Sequence, residues 1–524
     1  MSTLDVQLND DTASRSSKQT MDTDIFTSQN EISLQATTRS DKPATLDDLL
    51  DKVGVGKYQY LVYTALTIGY FCDGAELIAI SFLNVVLVDI WKLSEAQVGL
   101  IGVAIFGGLL IGSFFAGPLT DLYGRRKVFM GSLAFTLALC LLSALSPDFT
   151  FMLISRGFFG ISAGVLIPIS SGYIIEITPT EHRGRMMVFA QAFFTLGEMF
   201  ACGIVAIVMY DNSHWRLMLV LVTVPGVIAF VILLLVSMET PRFAFFSDSE
   251  LGFSILNKMY QINKGTTENL QISELEKEQV KQWVSDQKHQ LKTQKTSYIA
   301  LFLGANLQLT SHLIPMWFLL CFVYYGIVYV YPMTLVMLDS TQAIDSASIT
   351  DVFISVLGEI PSYVFCYLLV DHKSFGRKNS LILCFAGGAV CLSLSFFVGS
   401  WGFPFLVFGA KFFANSTFAF IYLYTSEAYH TSNRVTGVGL CSGVSRFSGV
   451  LMPWIVLPSL DLAPKTPFLL FGLMCGAATV ASVLLPFETL GRELDKIEEG
   501  PSNEHSTTKE ISMTEMKINA KVVL

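Results

Sequence analysis

The chain carries one short pattern twice. GPLTDLYGRRK at 117–127 returns in degraded form as VDHKSFGRKNS at 370–380. Glu176 and Arg183 stand seven residues apart, as do Glu427 and Arg434, and Arg156 is echoed by Lys411. The members of each matched pair lie about 250 residues apart, so the chain reads as a half followed by its copy. Such a chain folds as two similar units packed against each other. In a strongly apolar chain this marks a secondary transporter, which rocks two halves about a central site.

The composition fixes the medium. Of 524 residues, 52% are hydrophobic and 15% charged, where soluble domains carry about 25% charged. Crossing the hydrocarbon takes about 20 apolar residues. Stretches of that length lie near 58–80, 96–118, 128–146, 151–176, 185–209, 217–237, 312–338, 349–370, 380–399, 403–426, 434–457 and 467–487. The expected fold is an all-α membrane protein of twelve transmembrane helices in two six-helix repeats. Residues 1–45 read as a disordered polar tail, 46–237 as the N-terminal six-helix bundle and 312–487 as the C-terminal bundle. Residues 488–524 read as a second disordered tail. The segment 238–311 joins the bundles, and its charged stretch SELEKEQVKQWVSDQKHQLK suggests short helices beneath them; a flexible linker is the plainer alternative. Loops after even-numbered spans hold Arg125, Arg126, Lys127, Arg183, Arg185, Lys373, Arg377 and Lys378, whereas the opposite loops hold little beyond Lys92, Arg216 and Lys465. Positive charge stays inside, so both termini are expected to be cytoplasmic. No apolar signal-peptide core precedes the first span, which is expected to serve as the insertion signal.

Several functions are disfavoured. The net charge of −9 comes with no basic patch, which argues against nucleic acid. The nine cysteines fall in or at the ends of apolar runs and form no disulfide framework. No phosphate loop, metal-ligand cluster or catalytic-triad spacing is present, so neither an enzyme nor a cofactor is expected. The sequon Asn415-Ser416-Thr417 lies inside span 10 and should be unused.

Charges within spans are costly and usually face the bundle interior. Span 1 has Asp73 and Glu76, span 4 Arg156, span 5 Glu198, span 8 Asp351 and Glu359, span 10 Lys411 and span 11 Arg446, while the cores of spans 3, 6, 9 and 12 have none. Those four are expected at the periphery. At 1.5 Å per residue, Asp73, Glu198 and Arg446 lie roughly 20 Å from the cytoplasmic ends of their helices. Glu359 and Lys411 lie roughly 12–13 Å in from the other side, in the same layer, with Arg156 shallower. The acids Asp73, Glu76, Glu198 and Glu359 are candidates for carrying a proton. Arg446, Lys411 and Arg156 are candidates for holding an anion, with Tyr324 and Tyr325 of span 7 as ring partners. Buried structural ion pairs, such as Arg156 or Lys411 with an acid, are the competing reading. The glycines of span 2 (99, 102, 107, 108, 112 and 117) permit close helix approach. The repeated loop residues Asp121, Gly124, Arg125, Arg126, Glu176 and Arg183, with Asp371, Arg377, Glu427 and Arg434, are candidates for a gate in which Asp121 meets helix ends and charges of the other half.

GPLTDLYGRRK resembles the loop signature of the major facilitator superfamily. LDDLLDKVGVGKYQ at 46–59, DGAELI at 73–78, METPRF at 238–243, GEIPS at 358–362 and the run 424–453 resemble the branch of synaptic-vesicle-2-related and organic ion transporters. The resemblance covers about 45–490 of the chain and implies the facilitator fold. It also implies an anionic or zwitterionic substrate, because organic anion members have Arg at the position of Arg446. The loop between spans 1 and 2, read as about 15 residues, lacks the large ectodomain of animal members. The sugar-porter QQ-x-x-G motif and the drug-antiporter GP motif are both missing.

The resulting expectation is proton-coupled symport of a small organic anion, an aromatic or other carboxylate. Asp73 carries the proton with Glu76 tuning it, and Arg446 holds the carboxylate with Lys411 as a second positive group. An uncoupled facilitator or exchanger, a vesicular transporter of the same fold and a non-transporting scaffold are the alternatives. A monomer is expected in a lipid bilayer, at the plasma membrane or a vesicle, with a small-molecule substrate and protons as partners.

Overall fold

The computed structural model describes residues 43–209, 214–293, 298–338, 346–370, 372, 375–429 and 431–490. Asp371, Lys373 and nearly all of both expected tails lie outside the described residues. Among the described residues seventeen α-helices follow in order. A short α1 (Leu46–Val53) precedes six spanning helices, α2 (Lys57–Trp91), α3 (Glu95–Tyr123), α4 (Arg125–Ala144), α5 (Phe149–Ile177), α6 (Arg183–Val208) and α7 (Trp215–Val236). The linker forms α8 (Pro241–Ser247), α9 (Ser249–Lys264) and α10 (Glu274–Thr293). The second half is α11 (Gly304–Leu338), α12 (Ser346–Leu357) with α13 (Glu359–Leu369), α14 (Gly376–Phe397), α15 (Phe403–Ala428), α16 (Thr431–Leu460) and α17 (Thr466–Val483). Counting α12 and α13 as one, twelve helices among the described residues are long and apolar enough to cross a membrane. In hydrocarbon a helix is favoured because it satisfies its own backbone hydrogen bonds.

Three boundaries differ from the sequence reading. The apolar pattern of α2 runs on through Phe82, Leu83, Val86 and Leu87, all buried, so the helix reaches Trp91. Only Lys92, Leu93 and Ser94 then connect it to α3, in place of the longer loop expected. The seventh span starts at Gly304 rather than 312, so it takes the end of the expected linker. The eighth breaks at Gly358. Pro361 has no N–H to give the Leu357 carbonyl, and Gly358 N–H tightens onto Ser355 O at 3.2 Å.

The linker is structured and docks on the first half. Thr45 and Asp48 form a capping box that starts α1, whose Leu46, Leu49, Leu50 and Val53 share a buried face. Asn263 of α9 accepts from Tyr58 N at 3.0 Å and donates to Gln59 Oε1 at 2.8 Å. Lys52 of α1 meets Glu276 of α10 at 2.5 Å, which holds the Glu276 carboxyl below its usual range.

Glycine sets the closest helix contacts. A Cβ on Gly112 would sit 2.0 Å from Ile161 O, and one on Gly164 2.4 Å from Leu109 O, so α3 and α5 touch backbone to backbone. Gly74 and Gly197 do the same for α2 and α6. Of the other span 2 glycines, Gly99 and Gly102 face α16 and α11 of the second half, Gly108 faces α5, and Gly107 and Gly117 meet nothing within 4 Å. The helices whose cores carry no charge, α4, α7, α14 and α17, pack chiefly within their own halves. Gly112→Val should therefore lower the thermal unfolding midpoint of the purified protein by several degrees, since overpacking typically costs about 1–3 kcal/mol or more. Gly117→Ala should stay within about 0.5 kcal/mol of wild type. Equal midpoints for the two variants would refute the close-contact account.

Candidate substrate and proton site

Two polar clusters lie between the halves. The first surrounds a cavity of about 30 Å³, lined by Asp73 and Glu76 of α2, Phe106 of α3, Arg156 and Phe159 of α5, and Tyr325 and Tyr329 of α11, among others. That is room for about two water molecules, so the halves are nearly shut around it. Asp73 and Glu76 are one turn apart and so share a helix face. Glu76 Oε2 accepts from Arg156 Nη1 at 2.8 Å, and its Oε1 accepts from Cys140 Sγ at 2.5 Å. Arg156 is fully buried, and its Nε and Nη2 have no hydrogen-bond partner among the described residues. Asp73 makes no hydrogen bond or ion pair among the described residues. The charge of Arg446 is near enough to act on it, and among the described residues Arg446 Nη1 donates only a long bond, 3.4 Å, to the hydroxyl of Tyr325 in the cavity wall. Tyr325 in turn packs on Phe106, ring centroids 4.9 Å apart.

The second cluster is a triad. Lys411 Nζ of α15 donates to Glu198 Oε2 of α6 at 2.9 Å and to Glu359 Oε1 of α13 at 2.6 Å. The Tyr324 hydroxyl lies 3.2 and 2.9 Å from the same two carboxylates, with a single O–H to give them. Thr195 of α6 donates to Glu359 Oε2 at 2.7 Å. All three charged side chains are at most 1% exposed. The break at Gly358 places Glu359 here: a Cβ on Gly358 would lie 2.4 Å from Phe408 O, so α13 begins hard against α15.

The structure therefore divides the predicted residues. Asp73, Glu76, Arg156 and Tyr325 meet at the cavity with Arg446 beside it, while Glu198, Glu359, Lys411 and Tyr324 form the separate triad. Lys411, expected to help hold a substrate, has its ammonium engaged by two carboxylates. Tyr329 donates to Val98 O at 2.8 Å and joins α11 to α3; Tyr331 packs between Phe403 and Phe468.

The repeated loops build the same clamp twice. Gly124 and Gly376 take φ of +90° and +62°, a conformation that suits glycine. Arg125 bonds Glu176 Oε1 at 3.2 Å, and Arg377 meets Glu427 Oε2 at 3.2 Å. Glu239 then accepts from Arg126 N at 3.0 Å, and Glu488 accepts from Arg377 N and Lys378 N at 2.7 and 2.9 Å. These carboxylates cap the first turns of α4 and α14. Asp121, expected to meet the other half, is paired instead with Arg125 of its own half, an i,i+4 contact at 3.3 Å. Arg183 bonds Asp47 of α1 at 2.5 Å and not Glu176, while Arg434 lies in the first turn of α16. The sequence reading missed Glu239, Glu488, Thr195 and Cys140. The recurrence of Glu-Thr in METP at 238–241 and FETL at 487–490 was the available signal for the first two.

The profile described as "Sugar (and other) transporter" matches residues 12–500. The chain belongs to that family, within the major facilitator superfamily. It is 28% identical to organic cation/carnitine transporter 7 of Arabidopsis thaliana over 86% of this chain and 95% of that protein. It is 27% identical to the synaptic vesicle 2-related protein of Bos taurus, over 87% and 83%, and 27% identical to the niacin transporter NiaP of Acinetobacter baylyi, over 86% and 98%. The fold matches the xylose transporter XylE from E. coli in its inward open conformation, with a TM-score of 0.64, 19% identity, and coverage of 83% of this chain and 98% of that one. This family member is an integral multi-pass membrane transporter, not an enzyme.

The buried pair yields a stability test. Removing one partner of a buried ion pair typically costs about 3–5 kcal/mol, whereas replacing both with apolar groups is often neutral. Arg156→Ala should sharply lower the unfolding midpoint, and the double variant Glu76→Met, Arg156→Leu should recover most of the loss. A double variant no more stable than Arg156→Ala would show that the pair's charges are not what the single change upsets.

Proposed function

We propose that the protein is a proton-coupled symporter of a small organic anion, in the class of aromatic or other carboxylates. The observation that carries the reading is Asp73, which lines the cavity and makes no hydrogen bond or ion pair among the described residues, while Arg446 makes only a long bond to Tyr325 of the cavity wall. Asp73 loads the proton, and Glu76, already held by Arg156, tunes it. Arg446 grips the carboxylate, since a planar guanidinium offers two parallel donors. Arg156 adds Nε and Nη2, and Tyr325 and Phe106 offer ring faces. Protonation and substrate together neutralise the site, so the halves close on it without burying net charge. One relative is named a niacin transporter, and niacin is an aromatic carboxylate. The bias of Lys and Arg puts the repeated loops, and hence both termini, in the cytoplasm.

An uncoupled facilitator or exchanger is the second reading. The pairing of Glu76, Glu198 and Glu359 with basic side chains favours it, since those acids then serve structure alone. Uptake of a panel of radiolabelled carboxylates, amines and sugars into proteoliposomes, with and without an inward proton gradient, separates the two. We expect gradient-stimulated accumulation of a carboxylate, lost in Asp73→Asn, and weaker carboxylate affinity in Arg446→Lys. Uptake indifferent to the gradient sinks coupling, transport of amines alone sinks the anion assignment, and unchanged affinity in Arg446→Lys removes the anchor.

A further inference from the structure

The halves are joined from mid-bundle to the side away from the repeated loops. There α3 meets α16 and α11 through Gly99 and Gly102, and Tyr329 bonds Val98 O. The triad belongs to this seam. Glu198 and Thr195 come from the first half, and Lys411, Glu359, Tyr324 and Tyr363 from the second. The seam includes Tyr363, whose hydroxyl donates to Gln191 O at 3.0 Å.

We propose that the Glu198–Lys411–Glu359 triad is a proton-loaded latch, in which closing this seam binds one proton and opening it releases one. This rests on the proton-coupled reading but assigns a second site, apart from Asp73.

The argument is one of charge balance. When the seam opens, Lys411 and Glu359 stay together as a neutral pair in the second half. Glu198 leaves with α6 into water, where its charge is solvated. Closing brings Glu198 back, at most 1% exposed, against a lysine whose charge is already balanced. Two carboxylates and one ammonium leave a net charge of −1 in a contact from which water is excluded, a costly arrangement. One proton carried in on either carboxylate removes it. The other groups facing the triad are Tyr324 of α11, Tyr363 of α13 and Cys202 of α6, all neutral as hydroxyl or thiol, so none supplies the missing positive charge. The proton and the Lys411 bonds together hold the seam. Low pH favours closure and high pH favours opening, by up to about tenfold in the closed-to-open ratio per pH unit for one linked proton. In a symport cycle this sense is useful, because release of the proton after closure loosens the far seam and prepares its reopening.

The test reads the seam directly. Spin labels on ketone amino acids at Ala96, the exposed start of α3, and Leu462, exposed between α16 and α17, leave the nine cysteines untouched. The distance distribution in nanodiscs, without substrate or gradient, is recorded between about pH 5 and pH 9. Wild type should shift to longer distances as pH rises. Glu198→Gln and Glu359→Gln each leave one carboxylate on Lys411, so each should reduce the slope by about one proton. A wild type that does not respond, or a response that both variants retain in full, overturns the latch. Failure of the coupling reading shows separately, as carboxylate uptake that ignores the gradient.

Discussion

A charge inside a membrane-embedded bundle persists only against a counter-charge, and that constraint organises the interior of this transporter. Arg156 is fully buried because Glu76 reaches it from α2. Lys411 is buried because two carboxylates converge on it from separate helices. Each pair fixes the relative rotation of the helices that carry it, so α2 and α5 are registered by one contact, and α6, α13 and α15 by the other. Asp73 and Arg446 are the exceptions, each without an ion pair among the described residues, and Asp73 lines the cavity.

The same economy recurs at the repeated loops, in a different medium. There the problem is a row of unsatisfied N–H groups at the starts of α4 and α14, next to glycines in the left-handed region. Glu239 and Glu488 satisfy them from the chain that follows the sixth and twelfth spans. Arg125 and Arg377 tie the same turns to Glu176 and Glu427. Duplication has preserved the clamp as a set of contacts more faithfully than as a string of letters, since GPLTDLYGRRK and VDHKSFGRKNS share few identities beyond Asp, Gly and Arg.

Span number, repeat and the candidate charges were legible because they depend on local apolar length and on residue type. Pairing was not. Nothing near Lys411 in the sequence says that Glu198, on a helix of the other half, completes its partners, because that contact is made only by the docking of the two halves. The break at Gly358 was hidden for the opposite reason. Its cause, the missing N–H of Pro361, is local, but a proline inside an apolar span often bends a helix without interrupting it. The short connection after α2 was misjudged because the apolar pattern runs past the length that hydrocarbon demands. Asp121 was expected to meet helix ends and charges of the other half, yet side-chain reach in the folded loop chose Arg125, four residues on.

The docking of α8, α9 and α10 has a practical consequence. Of these helices α9 is bonded to the start of α2 and α10 to α1, while α8 packs against α5 and α9, so they ride with one half as a solid projection. A binding protein raised against the exposed surface of α9 and α10 would act as a marker fixed to that half alone. In images of single particles, its angle against the other bundle would measure the rocking motion from outside, with the cavity left free for substrate.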